Sequence, residues 1–229
     1  MVVNNCTVEE LVGQLNDLEQ KHAPSKLYIS GNTDFVQQQP RVSVIGTRKP
    51  SKEGVAIAQK ITQFLVKKGV IIVSGLAAGI DKVAHKTAMH FGGRTIAVIG
   101  TSVEEYYPKQ NKDLQDKIAS EHLLVSEFAP GHPIQRGNFP QRNRTMALLS
   151  HASIIIEASK SSGTQHQGWE ALRLGRPLFI MENLVNDESL VWPQKQVEYG
   201  AQPLSMDDLD ILLESLPESR LVIQNAFNF

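Results

Sequence analysis

Two glycine-bearing runs, Gly46-Thr47-Arg48 and Ser74-Gly75-Leu76-Ala77-Ala78-Gly79, hold the residues of this chain best suited to grip an anion. Glycine lets backbone N–H groups approach a ligand, a hydroxyl adds a donor, and a guanidinium meets phosphate with a two-pronged fork. The plainer alternative for the first run is a tight turn with an exposed arginine. A third string, Gly137-Asn138-Phe139-Pro140-Gln141-Arg142-Asn143-Arg144, sets an aromatic ring between Arg136 and the pair Arg142 and Arg144. A ring stacked on a base, with arginines on the flanking phosphates, is single-strand binding chemistry. The competing reading makes Phe139 a packing residue at a helix entry and pairs Arg142 or Arg144 with Glu127 or Glu157.

Other chemistries find less support. His85 follows Asp81 by one helical turn, but no nucleophile accompanies it, and helix capping accounts for Asp81. His85 and His90, or His151 and His166, have no Cys, His or Asp cluster at ligand spacing, so no metal is expected. A Gly-Lys-Ser/Thr phosphate loop and a GxGxxG fingerprint are both missing, so no nucleotide or flavin cofactor is expected either. No catalytic residue is assigned.

These residues need a scaffold that brings distant loops together. Both glycine runs follow short apolar stretches, Val42–Ile45 and Val70–Val73, and precede helical patterns. Further strands are expected at Thr95–Ile99, Leu123–Val125, Ser153–Ile156 and Leu178–Ile180. Helices are expected over about 81–91, 109–120, 145–150 and from Thr164 to Leu174, with Phe128–Gly137 a Gly- and Pro-rich loop. Strands alternating with helices specify an α/β fold, a doubly wound, mainly parallel sheet with helices on both faces and ligand loops at the carboxyl ends of the strands. At the ends, Val8, Leu11, Leu15 and Leu18 predict a helix over residues 7–20, and a last helix is expected over 204–216, with Pro217 closing the folded part. Three parts follow: a short lead-in (1–40), the core (41–182) and an extension packed on it (183–229).

Composition narrows the setting. The chain has 229 residues and one cysteine, Cys6, which rules out an internal disulfide framework and fits a reducing compartment. No apolar run approaches the roughly 20 residues of a membrane helix, so no membrane partner and a cytoplasmic location are expected. The near-neutral total hides an asymmetry: residues 1–40 carry a net −3, residues 41–160 a net +8 and residues 161–229 a net −6. Positive charge gathers on the part that holds the glycine runs, which favours an anionic partner. Lys60, Lys67 and Lys68 read as a solvated helix face.

Taken in order, GTRKPSKEG, SGLAAGIDKVAH, GGRTIAVIGTSVEEYYPKQN, LLVSEFAPG and NFPQRNR resemble the DprA/Smf DNA-processing family, with PSKLYISGN upstream adding to the likeness over about residues 24–181. The resemblance implies an extended Rossmann-like core that binds single-stranded DNA, usually as a homodimer, and hands it to a RecA-like recombinase in transformation. It implies DNA contacts at Arg48, Ser74, Gly75, Phe139, Arg142, Asn143 and Arg144. Gly46, Thr47, Gly79, Lys109, Arg136 and Ser162-Gly163-Thr164 complete the expected phosphate-binding surface. The core is expected without the helical SAM-like domain many relatives carry in front and without a C-terminal winged-helix-like domain. Two departures stand out. Ser162-Gly163-Thr164 leads into Gln165-His166-Gln167-Gly168-Trp169-Glu170 where the family has an apolar, Thr-bearing helix start, and Met181-Glu182-Asn183 replaces a Pro-Gly. A Gly-Thr before a Glu-bearing helix is also reminiscent of the LOG-like phosphoribohydrolases. The second reading is therefore a nucleotide sensor or N-glycoside hydrolase using Glu170 or His166, with Trp169 stacked on a base, although Gln167 stands where their Glu is expected.

Overall fold

Strands that are apolar at nearly every position must be covered on both faces, and the central strands of this chain meet that requirement. The computed structural model describes residues 2–160 and 162–217. Within them the strands are β1 (Asn4–Cys6), β2 (Leu27–Gly31), β3 (Arg41–Gly46), β4 (Ile71–Ser74), β5 (Thr95–Ile99), β6 (Leu123–Ser126), β7 (Ala152–Glu157), β8 (Leu178–Met181) and β9 (Gln202–Leu204). They form one sheet in the order β1-β2-β6-β5-β4-β3-β7-β8-β9. β1 and β2 enter antiparallel, while every pairing from β6 to β9 is parallel.

The helices are α1 (Val8–Val12), α2 (Asp17–His22), α3 (Lys52–Lys67), α4 (Ile80–His90), α5 (Lys112–Glu121), α6 (Asn138–Leu148), α7 (Thr164–Arg173), α8 (Glu182–Val185), α9 (Trp192–Glu198) and α10 (Leu209–Glu214). Alternation along the strands assigns the two layers. Val42, Val44, Ile72 and Ile154 face α3, α4 and α10, and Ala97, Ile99 and Leu124 face Leu114 and Ile118 of α5. Ile71, Val73, Ile96, Val98 and Ile155 point the other way, into a cluster with α1, α6 and α7. The α/β, doubly wound, mainly parallel architecture expected from the alternation of elements is the one observed.

Five details differ from the sequence reading. The N-terminal helix is two short ones, because Gly13 adopts φ +93° and ends α1; Leu18 stays exposed while Val8, Leu11 and Leu15 are buried. Residues of the expected lead-in supply β1 and β2, which extend the sheet at one edge. At the opposite edge, β9 (QPL) carries too little apolar signal to be seen in advance. The difference that matters for function is α6: the helix begins at Asn138 and not near Thr145, so Phe139, Arg142 and Arg144 all sit on it. Pro140 is no obstacle there, since a first-turn proline lacks only an N–H that would have no helical partner. The expected helix over 204–216 is shorter, α10, and the part of the extension beyond Pro217 lies outside the described residues. Among the described residues, no helix is long and apolar enough to cross a membrane.

Two histidines, His85 buried and His151 half-buried, are held neutral. The Thr95 hydroxyl donates to Ile72 O (2.8 Å), so the ring of His85 must donate its Nδ1–H to Thr95 Oγ1 (2.7 Å). His151 Nδ1 accepts the Arg41 backbone N–H at 3.0 Å, which requires an uncharged ring. Burial, the larger cause, and neighbouring positive charge bring both pKa values down to about 3.

Candidate functional site

β3 lies between β4 and β7, and the connections leave it in opposite directions: α3, α4 and α5 cover one face, α6 and α7 the other. Such a switch point is where open α/β sheets bind their ligands. Here Thr47 fastens three loops together. Its N–H donates to Glu157 O at the end of β7 (2.7 Å), and its carbonyl accepts the Ile80 N–H at the start of α4 (3.1 Å). The glycines make this approach possible. A Cβ on Gly46 would come within 2.6 Å of Ile80 Cγ1, and one on Gly79, which has φ +82°, within 2.2 Å of Thr47 O. Gly79 is thus a packing glycine, and Gly46 both packs and opens onto the cleft.

The cleft at this edge has a volume of about 660 Å³. The first loop contributes Gly46, Thr47, Arg48 and Lys49. One wall is α6, through Phe139, Arg142 and Asn143; the other is the Ser162-Gly163-Thr164 turn at the amino end of α7. In that turn the Ser162 hydroxyl donates to Thr164 Oγ1 (2.7 Å) and accepts the Thr164 N–H (3.2 Å). The partial positive charge at the start of a helix favours an anion there, although the Thr164, Gln165 and His166 N–H groups are already engaged within the turn. Gln167, one turn further, lines the same space with both amide atoms buried and unpartnered.

The aromatic and the cations are arranged in depth. Phe139 is half-buried on Gly100, where a Cβ would lie 2.8 Å from its Cδ1. The exposed Arg48 guanidinium sits over the ring at 5.8 Å, and Tyr107 packs beside it at 5.2 Å. Arg142 lies beneath, buried, with Nη1 donating to Val98 O at 2.9 Å. Burial, the first cause, together with the Arg48 charge lowers the Arg142 pKa, while Asp81 opposes the change. Asp81 is itself buried: desolvation raises its pKa, and Arg142 and the Ala77 N–H pull it back. Arg142 is therefore a fixed charge under the floor of the cleft and Arg48 the mobile one above it.

Several expected site residues lie elsewhere. The Ser74 hydroxyl is turned inward and donates to Val44 O (2.7 Å), because a polar atom in the sheet interior must find a partner. Gly75 is buried and makes room for Arg142: a Cβ there would stand 1.5 Å from its Nη1. Lys109 and Arg136 are exposed and outside the cleft lining. Arg144 faces away, to Glu170 (3.0 Å), which Arg173 also holds (2.8 Å), so neither Glu127 nor Glu157 is its partner. Glu157 instead accepts from the Ser51 N–H and hydroxyl. Trp169 packs edge-on against Tyr199 at 5.2 Å. Lys49, Tyr107 and Ser159 escaped the sequence reading; Lys49 adjoins Arg48, but nothing in the chain ties Tyr107 to a ring 32 residues away.

The profile of the DNA recombination-mediator protein A family matches residues 9–216. Protein Smf of Synechocystis sp. is 44% identical over 193 residues, which are 83% of this chain and 46% of that protein, so the chain spans less than half the length of that relative. The crystal structure of DNA processing protein A from Streptococcus pneumoniae superposes with a TM-score of 0.79 at 34% identity, covering 94% of this chain and 75% of that one. DNA processing protein A from Helicobacter pylori, whose structure is described for its single-stranded DNA binding mode, gives 0.78 at 27% identity, over 93% and 98% of the two chains.

Proposed function

Because the chain belongs to the DNA recombination-mediator protein A family, named DprA or Smf in its relatives, we propose that it binds single-stranded DNA in the cleft at the carboxyl edge of its sheet. The observation that carries this is Arg48 stacked over the half-buried ring of Phe139, beside the amino end of α7. Phosphate oxygens take the Arg48 guanidinium at the positive amino end of α7. As Arg48 turns to the phosphate, the ring it covered is free to accept a base. Lys49 and Asn143 supply further donors, and Arg142 adds positive potential from below. Charge and stacking of this kind suit a strand of any sequence. The protein then acts as a DprA does in name: it protects single strands and helps load a RecA-like recombinase in DNA uptake or recombination, working as a homodimer.

The N-glycoside hydrolase reading loses its carboxylate. Glu170 is held between Arg144 and Arg173 and does not line the cleft. An acid needed to activate water or steady an oxocarbenium-like charge must reach the reacting atoms.

The test is a salt titration of labelled oligo-dT binding, with duplex, ATP and AMP as competitors. Arg48→Ala is expected to weaken binding about tenfold, the worth of one charge-assisted contact, and to reduce the logarithmic salt slope by about 0.7. Phe139→Leu is expected to lose about 1–3 kcal/mol of binding with the salt slope kept. Displacement by AMP as readily as by oligo-dT would move the cleft to a small-nucleotide role.

A further inference from the structure

A groove of about 1020 Å³ lies on the face away from α6 and α7, between α3, α4 and α5. Lysines from all three helices line it: Lys60 from α3, Lys82 and Lys86 from α4, and Lys117 from α5. Asp113 is the one carboxylate in the lining. Lys117 reaches Glu121 at 3.9 Å, whereas Lys60, Lys82 and Lys86 have no ion pair among the described residues. In the sequence these lysines are separate solvated positions; the packing of three helices collects them into one channel.

We infer that this groove is a second nucleic-acid surface, which takes the phosphodiester backbone of a single strand as it leaves the cleft. The inference rests on the single-strand reading of the cleft and extends it. Three observations converge. Unpaired like charges sharing a trough focus a positive potential and attract a polyanion. Lys82, Lys86 and His90 follow one another at four-residue steps along α4, about 6 Å each, close to the span of one nucleotide of extended backbone. Both sites also draw on α4: Asp81, at its start, lines the cleft, and Lys82, the next residue, lines the groove. Phe91, 41% exposed and edge-on to His90 at 4.9 Å, ends the track with an aromatic surface. Glutamines at 59, 63 and 110 add neutral donors without reading sequence.

The experiment compares a short and a long oligonucleotide, about 6 and about 25 nucleotides, on the wild-type chain and on the double variant Lys60→Glu, Lys86→Glu. Both positions are exposed, so the fold is kept, and unchanged short-oligomer binding confirms it. The expected result is equal affinity for the short oligomer and a loss of at least tenfold for the long one. The long oligomer should also lose about 1.4 from its salt slope, two single-strand contacts' worth. Equal affinities for the long oligomer would overturn the groove, as would equal losses at both lengths. A change of oligomeric state with long-oligomer binding intact would overturn it in favour of an acidic protein surface. If the wild-type chain ignores the short oligomer, it is the cleft reading that fails.

Discussion

Arg142→Ala is expected to cost the fold about 3 kcal/mol and to lower its melting temperature by roughly 6–12 °C. In the sequence Arg142 reads as a surface cation waiting for phosphate. In the fold its guanidinium lies under the cleft, bonded to Val98 O and held in a space that exists because residue 75 has no side chain. Alanine would leave Asp81 buried without the cation that opposes its desolvation, and Val98 O without its donor. Losing one member of a buried charged pair is costly because the other stays behind uncompensated. Thermal melts of the variant beside Arg48→Ala separate the two roles. Arg48→Ala should bind poorly and melt normally; Arg142→Ala should melt early. Weakened DNA binding at an unchanged melting temperature would instead make Arg142 a surface contact.

Acid is the second large lever. An unfolded histidine titrates near 6.5, and His85 and His151 are pushed down to about 3 in the fold. Between these values the unfolded chain takes up protons that the folded chain refuses. The stabilisation is complete above pH 6.5 and drains away as the pH falls towards 3. At pH 5 each ring accounts for about 2 kcal/mol. Glu127 works in the opposite sense: burial lifts its pKa to about 6, so its protonation on acidification returns part of the loss. The net expectation is about 3 kcal/mol less stability at pH 5 than at pH 7.5, read as an early melt. His151→Asn, whose Oδ1 can take the Arg41 amide, should shrink that difference by about two-thirds. A melting temperature that stays level from pH 7.5 to 5 would mean that the two rings are not kept neutral.

The sheet was legible because its central strands are short, almost wholly apolar runs, and because several of them end in small residues. Those endings also located the cleft. What could not be read depends on pairs distant in the chain. Nothing near Arg142 indicates that Gly75, 67 residues earlier, leaves a hole for its guanidinium. The early start of α6 was hidden because glycines and prolines surround it, yet the helix begins at Asn138 and tolerates Pro140 in its first turn. The lysines of the groove lie on three helices, and only the packing of α3, α4 and α5 makes one surface of them. Ser74 was misleading for a different reason: a hydroxyl at the end of a buried strand satisfies itself inward before it can serve a ligand.

The bonds of Thr47 bear on how fast a strand can be captured. One residue ties the loops after β3 and β7 to the start of α4, and α6 is pinned from below by Arg142. The loops and helices that frame the cleft are therefore held in place before DNA arrives. Arrival is limited by encounter and not by rearrangement, so the observed association rate should climb in proportion to DNA concentration without reaching a plateau. Affinity differences among strands then reside in how long each one stays.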